Sequence, residues 1–152
     1  MPGLEDPYRE IILDHYRTPR NRGELPPPAA HAVGHNPLCG DEIDVYLQVE
    51  GDTVTDVKVG GQGCSISQSS ASMMSQAVKG RPVSEVRALV RRFKGMMSIE
   101  EHGADGEATN DVAVKLGDLE ALQGVVKFPV RIKCATLAWN TLLQALAEAT
   151  SA

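Results

Sequence analysis

Cysteine is scarce in this chain and scattered. There are three, Cys39, Cys64 and Cys134, an odd number set far apart. That pattern excludes a disulfide framework of the kind that staples small secreted domains. No CxxC pair occurs, so the close-set motif of an ordinary structural zinc site is missing too. Aromatic residues make up only 4%, so a core must be built from Val, Ile, Leu, Ala and Met within a hydrophobic fraction of 42%. Positive charge is also short: 15 Lys and Arg stand against 20 Asp and Glu, a net charge of −5. Sequence-independent nucleic-acid binding needs a basic surface, so nucleic acid is not an expected partner. No apolar run approaches the roughly 20 residues that cross a bilayer, so no membrane partner is expected either. The opening MPGLEDPYRE is acidic and lacks the basic and apolar regions of a signal peptide. These absences make the expected location cytoplasmic. There, cysteines serve as metal ligands, reactive thiols or small buried hydrophobes.

At 152 residues the chain is long enough for one domain and short for two. Asp6-Pro7 marks a helix start, with Tyr8, Ile11, Ile12, His15 and Tyr16 at helical spacing and Thr18-Pro19 as the stop. Residues 17–38 show no periodicity and carry five prolines, which predicts a long extended loop. Ile43, Val45, Leu47 and Val49 alternate with polar residues. Glu50-Gly51-Asp52 makes a turn, and Val54, Val57 and Val59 return with the alternation broken once. This predicts a β-hairpin over 41–59. Gly60-Gly61-Gln62-Gly63 reads as a short third strand. A Ser, Ala, Met and Gln-rich helix follows from Ser65 to a glycine cap at Gly80. Val83, Val86, Leu89, Val90 and Phe93 mark another helix. Residues 98–111 are acidic and glycine-containing, a loop or insertion, and Gly117-Asp118 begins a short helical turn. The last helix is expected from about Lys133 to Ala149, with Leu137, Ala138, Thr141, Leu142, Ala145 and Leu146 inward. The fold class is therefore α+β: a small antiparallel sheet of three strands with helices packed on one face, in a single domain.

The cysteines fall at junctions, where a scaffold brings side chains together. Cys39 precedes the first strand of the hairpin, Cys64 sits between strand and helix, and Cys134 opens the last helix. Thiolates suit zinc, copper(I) or iron–sulfur chemistry. Asp41 lies two residues from Cys39 with Gly40 between, so both can reach one ion. A cysteine at a helix start feels the positive end of the dipole, which favours thiolate. Arg131 and Lys133 flank Cys134 and act in the same direction. As ordinary surface residues, they would merely be solvated.

Three segments carry a resemblance. Asn36-Pro37-Leu38-Cys39-Gly40-Asp41, Gly63-Cys64-Ser65-Ile66-Ser67 and Arg131-Ile132-Lys133-Cys134-Ala135-Thr136-Leu137-Ala138-Trp139 resemble the three cysteine motifs of the U-type iron–sulfur cluster assembly proteins. That family includes IscU, SufU and the N-terminal domain of NifU. The start, from Tyr8 to Asn21, is similar as well, so the likeness spans nearly the whole chain in order. Two details point to the SufU branch. The span from Cys64 to Cys134 is longer than in IscU, by an insertion around 95–117, and Lys133 stands where IscU has His before its last cysteine. With that imidazole missing, Asp41 becomes the natural fourth ligand. Phe128-Pro129-Val130-Arg131-Ile132-Lys133 keeps only part of the segment that a dedicated chaperone reads in IscU.

The resemblance implies one assembly domain over 1–152 and a zinc or iron site of Cys39, Asp41, Cys64 and Cys134, with zinc the ion expected in the protein as isolated. It also implies that the three cysteines hold iron or a [2Fe–2S] cluster transiently. The implied partners are a cysteine desulfurase, which delivers sulfur as persulfide, and downstream iron–sulfur acceptor proteins. Cys134 is the first choice as sulfur acceptor and Cys39 the second, with Lys133 and Arg131 supporting. Such a chain is a scaffold or a zinc-dependent sulfur carrier, not a stand-alone enzyme. One rival is a purely structural zinc-binding domain. Another is a cysteine hydrolase using Cys64, which needs a base among His15, His31, His35 and His102 held beside the thiol. The Arg17, Arg20 and Arg22 cluster is a candidate contact for an acidic partner surface.

Overall fold

The computed structural model describes residues 6–26, 29–36, 40–97, 122, 125 and 129–150. Helix α1 (Asp6–Arg17) leads into strands β1 (Ala30–Asn36), β2 (Asp41–Glu50) and β3 (Thr53–Gln62), followed by helices α2 (Ser65–Val78), α3 (Val83–Met96) and α4 (Pro129–Thr150). The strands form an antiparallel meander in the order β1-β2-β3. The expected α+β class and three-stranded sheet are what the chain adopts. The inward residues of β2 and β3 are Ile43, Val45 and Leu47, then Val54, Val57 and Val59, all essentially without exposed surface. The break in the β3 alternation is a bulge: the register shifts at Gln48/Val49, so Val54 faces Val49 while Val57 faces Leu47.

Two strand expectations change. The glycine-rich stretch is no separate strand; Gly60, Gly61 and Gln62 continue β3 opposite Asp44, Ile43 and Glu42. The third strand is β1, inside the stretch expected to be loop. Its sequence AHAVGHN lacks bulky alternation because its inner face has no room for it. A Cβ on Gly34 would collide with Thr141 Oγ1 of α4 and stand 3.1 Å from Leu137 Cδ1. Small residues here let a helix lie directly on the strand, so the usual β-propensity signal is lost.

Helix α4 packs on β1 and β2, while α2 packs against α4, α1 and β3. Trp139 anchors this contact. Its ring stacks on Phe93 at 4.4 Å between centroids, and its Nε1–H donates to Ser70 Oγ at 3.1 Å. Helix α2 is buried on nearly every side although serine-rich. Its hydroxyls find partners, as Ser70 does on the Ala135 carbonyl (2.6 Å) and Ser75 on the Ser72 carbonyl (2.7 Å), as buried polar groups must. On α1, Ile12 and His15 turn inward, but Tyr16 is exposed. The edge of β3 is covered by the segment before β1: Val59 N–H donates to the Asn21 carbonyl, and Gly23 N–H to the Val59 carbonyl. From residue 98 onward, the insertion and the turn at Gly117-Asp118 fall outside the described residues.

Candidate metal centre

Three of the four expected donors come together at one end of the sheet. Asp41 is the first residue of β2, facing inward and fully buried. Cys64 caps α2 in an extended conformation (φ −74, ψ 170), and its sulfur accepts from the Ser67 N–H at 3.5 Å. Cys134 points from α4 into the same space with no exposed surface. One carboxylate oxygen and the two sulfurs all lie within 4.8 Å of one another. Cys39 lies outside the described residues.

Asp41 is held from one side. Its Oδ1 accepts the Cys64 backbone N–H at 2.9 Å, and its Oδ2 stands 3.9 Å from Cys64 Sγ. Gly63 makes this approach possible, since a Cβ there would run into Asp41 Oδ1 and come 2.6 Å from Ser67 Oγ. Asn36 Nδ2 lies 3.9 Å from Cys134 Sγ. Neither Asn36 nor Ser67 was singled out as a site residue by sequence reasoning. Each had one available signal, its place in the first or the second cysteine motif.

A tetrahedral ion with metal–sulfur bonds of about 2.3 Å sets its donors about 3.8 Å apart. The observed spacing fits such an ion after small side-chain shifts. Two thiols and a carboxylate make a mixed soft and hard set, which zinc and iron both accept. The donors come from three elements distant in sequence, so folding assembles the site.

Some expectations about the surroundings need correction. Helix α4 begins at Pro129, so Cys134 lies in its second turn and does not open it. The helix dipole acts mainly on the first turn, and so favours Cys64 over Cys134. Arg131 and Lys133 are exposed on α4, whereas Cys134 is buried. Arg20 and Arg22 are tied down within the chain. Arg20 pairs with Asp14 at 2.6 Å, and Arg22 donates to Gln68 Oε1 at 2.9 Å and to the Gly61 carbonyl at 2.6 Å. Their guanidiniums fasten the segment after α1 to α1, α2 and β3. As for a hydrolase base, the cluster around Cys64 holds no histidine among the described residues. His15 is buried against Ser72 Oγ at 2.8 Å, and His31 sits against Asp44 at 3.1 Å. His102 is outside the described residues. Among the described residues, no helix is long and apolar enough to cross a membrane.

Proteins similar to this chain match it over most of its length. A protein of Bacillus subtilis (strain 168) named zinc-dependent sulfurtransferase SufU is 45% identical over 145 residues, covering 95% of this chain and 92% of that protein. An iron–sulfur cluster assembly scaffold protein IscU of Streptococcus pyogenes serotype M1 is 39% identical, covering 95% and 86%. Among solved structures, a putative iron–sulfur cluster assembly scaffold protein for the SUF system from Fervidobacterium islandicum AW-1 superposes with a TM-score of 0.77 at 31% identity. That match covers 90% of this chain and 94% of the other. The NifU-like N terminal domain family matches residues 7–135, a stretch that takes in Asp41, Cys64 and Cys134. With that match over most of its length, and its fold and relatives in agreement, the chain belongs to the NifU-like N-terminal domain family.

Proposed function

We propose that the chain serves iron–sulfur cluster assembly as a single domain with an insertion around 95–117. In this reading it accepts sulfur from a cysteine desulfurase at a centre of Cys39, Asp41, Cys64 and Cys134 and passes it to downstream acceptor proteins. The observation that carries the reading is the convergence of Asp41, Cys64 and Cys134 within 4.8 Å from three separate elements. The names of the relatives offer two roles, zinc-dependent sulfurtransferase and assembly scaffold. Lys133 in place of a histidine and the longer span between Cys64 and Cys134 favour the sulfur carrier. Zinc is then the resident ion, and when bound it keeps its thiolates deprotonated. In the scaffold role the same sulfurs hold iron or a transient [2Fe–2S] cluster.

Sulfur transfer needs no oxidant or reductant. The acceptor thiolate attacks the outer sulfur of the desulfurase persulfide. A new S–S bond forms on the acceptor, the desulfurase S–S bond breaks, and its cysteine leaves as thiolate. Cys134 and Cys39 remain the two acceptor candidates, but their order changes. Cys134 has no exposed surface, and its place in the second helix turn removes the helix-start reason for preferring it. Cys39 immediately precedes the exposed Gly40 and takes first place. The structural-zinc rival is disfavoured by the carboxylate donor, which is harder and more exchangeable than a fourth thiolate or imidazole.

The test is to incubate the chain with a cysteine desulfurase and cysteine and read its intact mass. The expected result is added sulfur on the wild type, retained in Cys134→Ser and lost in Cys39→Ser. No added sulfur on the wild type from an active desulfurase would sink the reading. Sulfur uptake by Cys39→Ser but not by Cys134→Ser would return the role to Cys134.

A further inference from the structure

The last rung of the β1–β2 hairpin pairs Asn36 with Asp41. Directly paired residues project to the same face of a sheet. Both side chains are buried there, Asn36 at 7% exposure and Asp41 at 0%. Each end of this rung meets a different cysteine. Asp41 accepts the Cys64 N–H at 2.9 Å and faces its sulfur at 3.9 Å. Asn36 turns its amide nitrogen toward Cys134 Sγ, also at 3.9 Å. That nitrogen is a donor and a thiolate is an acceptor, so the pairing has the right sense.

We propose that Asn36 is a positioning residue of the metal centre, whose side-chain N–H donates to Cys134 Sγ and holds that sulfur toward Asp41 and Cys64. The inference rests on reading Asp41, Cys64 and Cys134 as metal donors. It adds a residue that touches no ion and acts through a ligand. Cys64 has a counterpart donor in the Ser67 N–H at its helix cap (3.5 Å). Each described sulfur is thereby met by a scaffold donor, from α2 in one case and from β1 in the other. The Asn36 bond links α4 to the sheet at the centre itself. It sets the direction of the Cys134 sulfur and draws electron density from it. Outer partners of this kind typically change metal affinity by about 10–100-fold when removed.

The experiment compares cobalt-loaded wild type with Asn36→Leu, which keeps similar bulk and has no donor. Loss of the donor leaves the thiolate electrons less stabilised and easier to transfer to the metal, so the thiolate-to-cobalt charge-transfer bands should move to lower energy. The ligand-field bands should keep tetrahedral intensity, and zinc affinity should fall by about 10–100-fold in competition with a chelating dye. Thr141→Val is the control. It alters the same contact of β1 with α4, about 10 Å farther along the helix at 1.5 Å per residue, and should leave the bands in place. Asn36→Ala, which also lacks a donor, gives the same readout if Asn36→Leu does not fold. Bands and affinity unchanged in the Asn36 variant, or an equal shift in Thr141→Val, would overturn the role of Asn36 and leave the centre standing. A wild type that takes up neither cobalt nor zinc would overturn the centre and Asn36 together.

Discussion

Replacing Asp41 in two ways separates the two jobs of its carboxylate. Oδ1 is structural, as acceptor of the Cys64 N–H at 2.9 Å, whereas Oδ2 faces the Cys64 sulfur and is free to serve as a metal donor. Asp41→Ala removes both oxygens and leaves a partly buried N–H without its acceptor. A hydrogen bond to a charged group contributes about 1.5–3 kcal/mol, so the metal-free Asp41→Ala protein should lose about 2 kcal/mol. For a chain of 152 residues that corresponds to a fall of about 4–8 °C in Tm. Asp41→Asn keeps an oxygen for the N–H and keeps the shape, so its metal-free stability should stay within about 1 kcal/mol of wild type. Both variants lose the anionic donor. Their zinc affinity should drop by more than about 100-fold, beyond what loss of an outer partner causes. Urea unfolding of metal-free protein measures the first effect, and competition with a chelating dye measures the second. Equal losses of metal-free stability in the two variants would refute the structural role of Oδ1. Unchanged zinc affinity in Asp41→Asn would refute the donor role of Oδ2.

Gly34→Ala should destabilise the chain by about 1–3 kcal/mol through overpacking, because its methyl group would press on Thr141 and Leu137. Denaturant unfolding should show the loss, and Gly34→Ala combined with Thr141→Ala should recover part of it; no recovery would place the strain elsewhere. Asp14 should titrate below the ordinary aspartate value of 3.8, because the hydrogen bond from Arg20, and then its charge, favour the carboxylate. The folded state therefore holds its proton less tightly than the unfolded chain. The pair's small contribution is present above the unfolded value and lost as pH falls through the lowered one. NMR titration of Asp14 in Arg20→Gln should show a return toward the ordinary value, and an unmoved titration would exclude Arg20 as the cause.

Much of the fold was legible because local periodicity reports which face of an element is buried. Ile43, Val45 and Leu47 at period two, and Leu137 to Leu146 at helical spacing, told which side of β2 and of α4 would meet the core. The single break between Val54 and Val57 carried the bulge. The donor types were legible as well, since Cys39, Asp41, Cys64 and Cys134 each stood in a short motif with glycine or a helix nearby. Strand β1 was not. Its inner positions are Ala30, Ala32, Gly34 and Asn36, small or polar residues whose pattern has meaning only when α4 lies on top of them. The start of α4 lies a turn earlier than local spacing indicates, which removes the helix-start argument for a reactive Cys134. Proline stands at its first position, Pro129, where the missing N–H costs nothing, and in the sequence the same proline falls in a segment that resembles a recognition motif.

Neighbouring residues encode the inventory: three thiols and one carboxylate, a core of aliphatic faces, and a hairpin leading into helices. These are properties of neighbours in the chain, and short-range spacing encodes them. Which of these groups share a point in space depends on how the elements pack. Asp41, Cys64 and Cys134 meet because β2, α2 and α4 pack around one end of the sheet. Asn36 reaches Cys134 because a hairpin rung aligns it beside Asp41. Such contacts join residues up to 98 positions apart. No local pattern specifies them, because their geometry is set by how close Gly34 lets a helix approach a strand and by the space Gly63 leaves for a carboxylate.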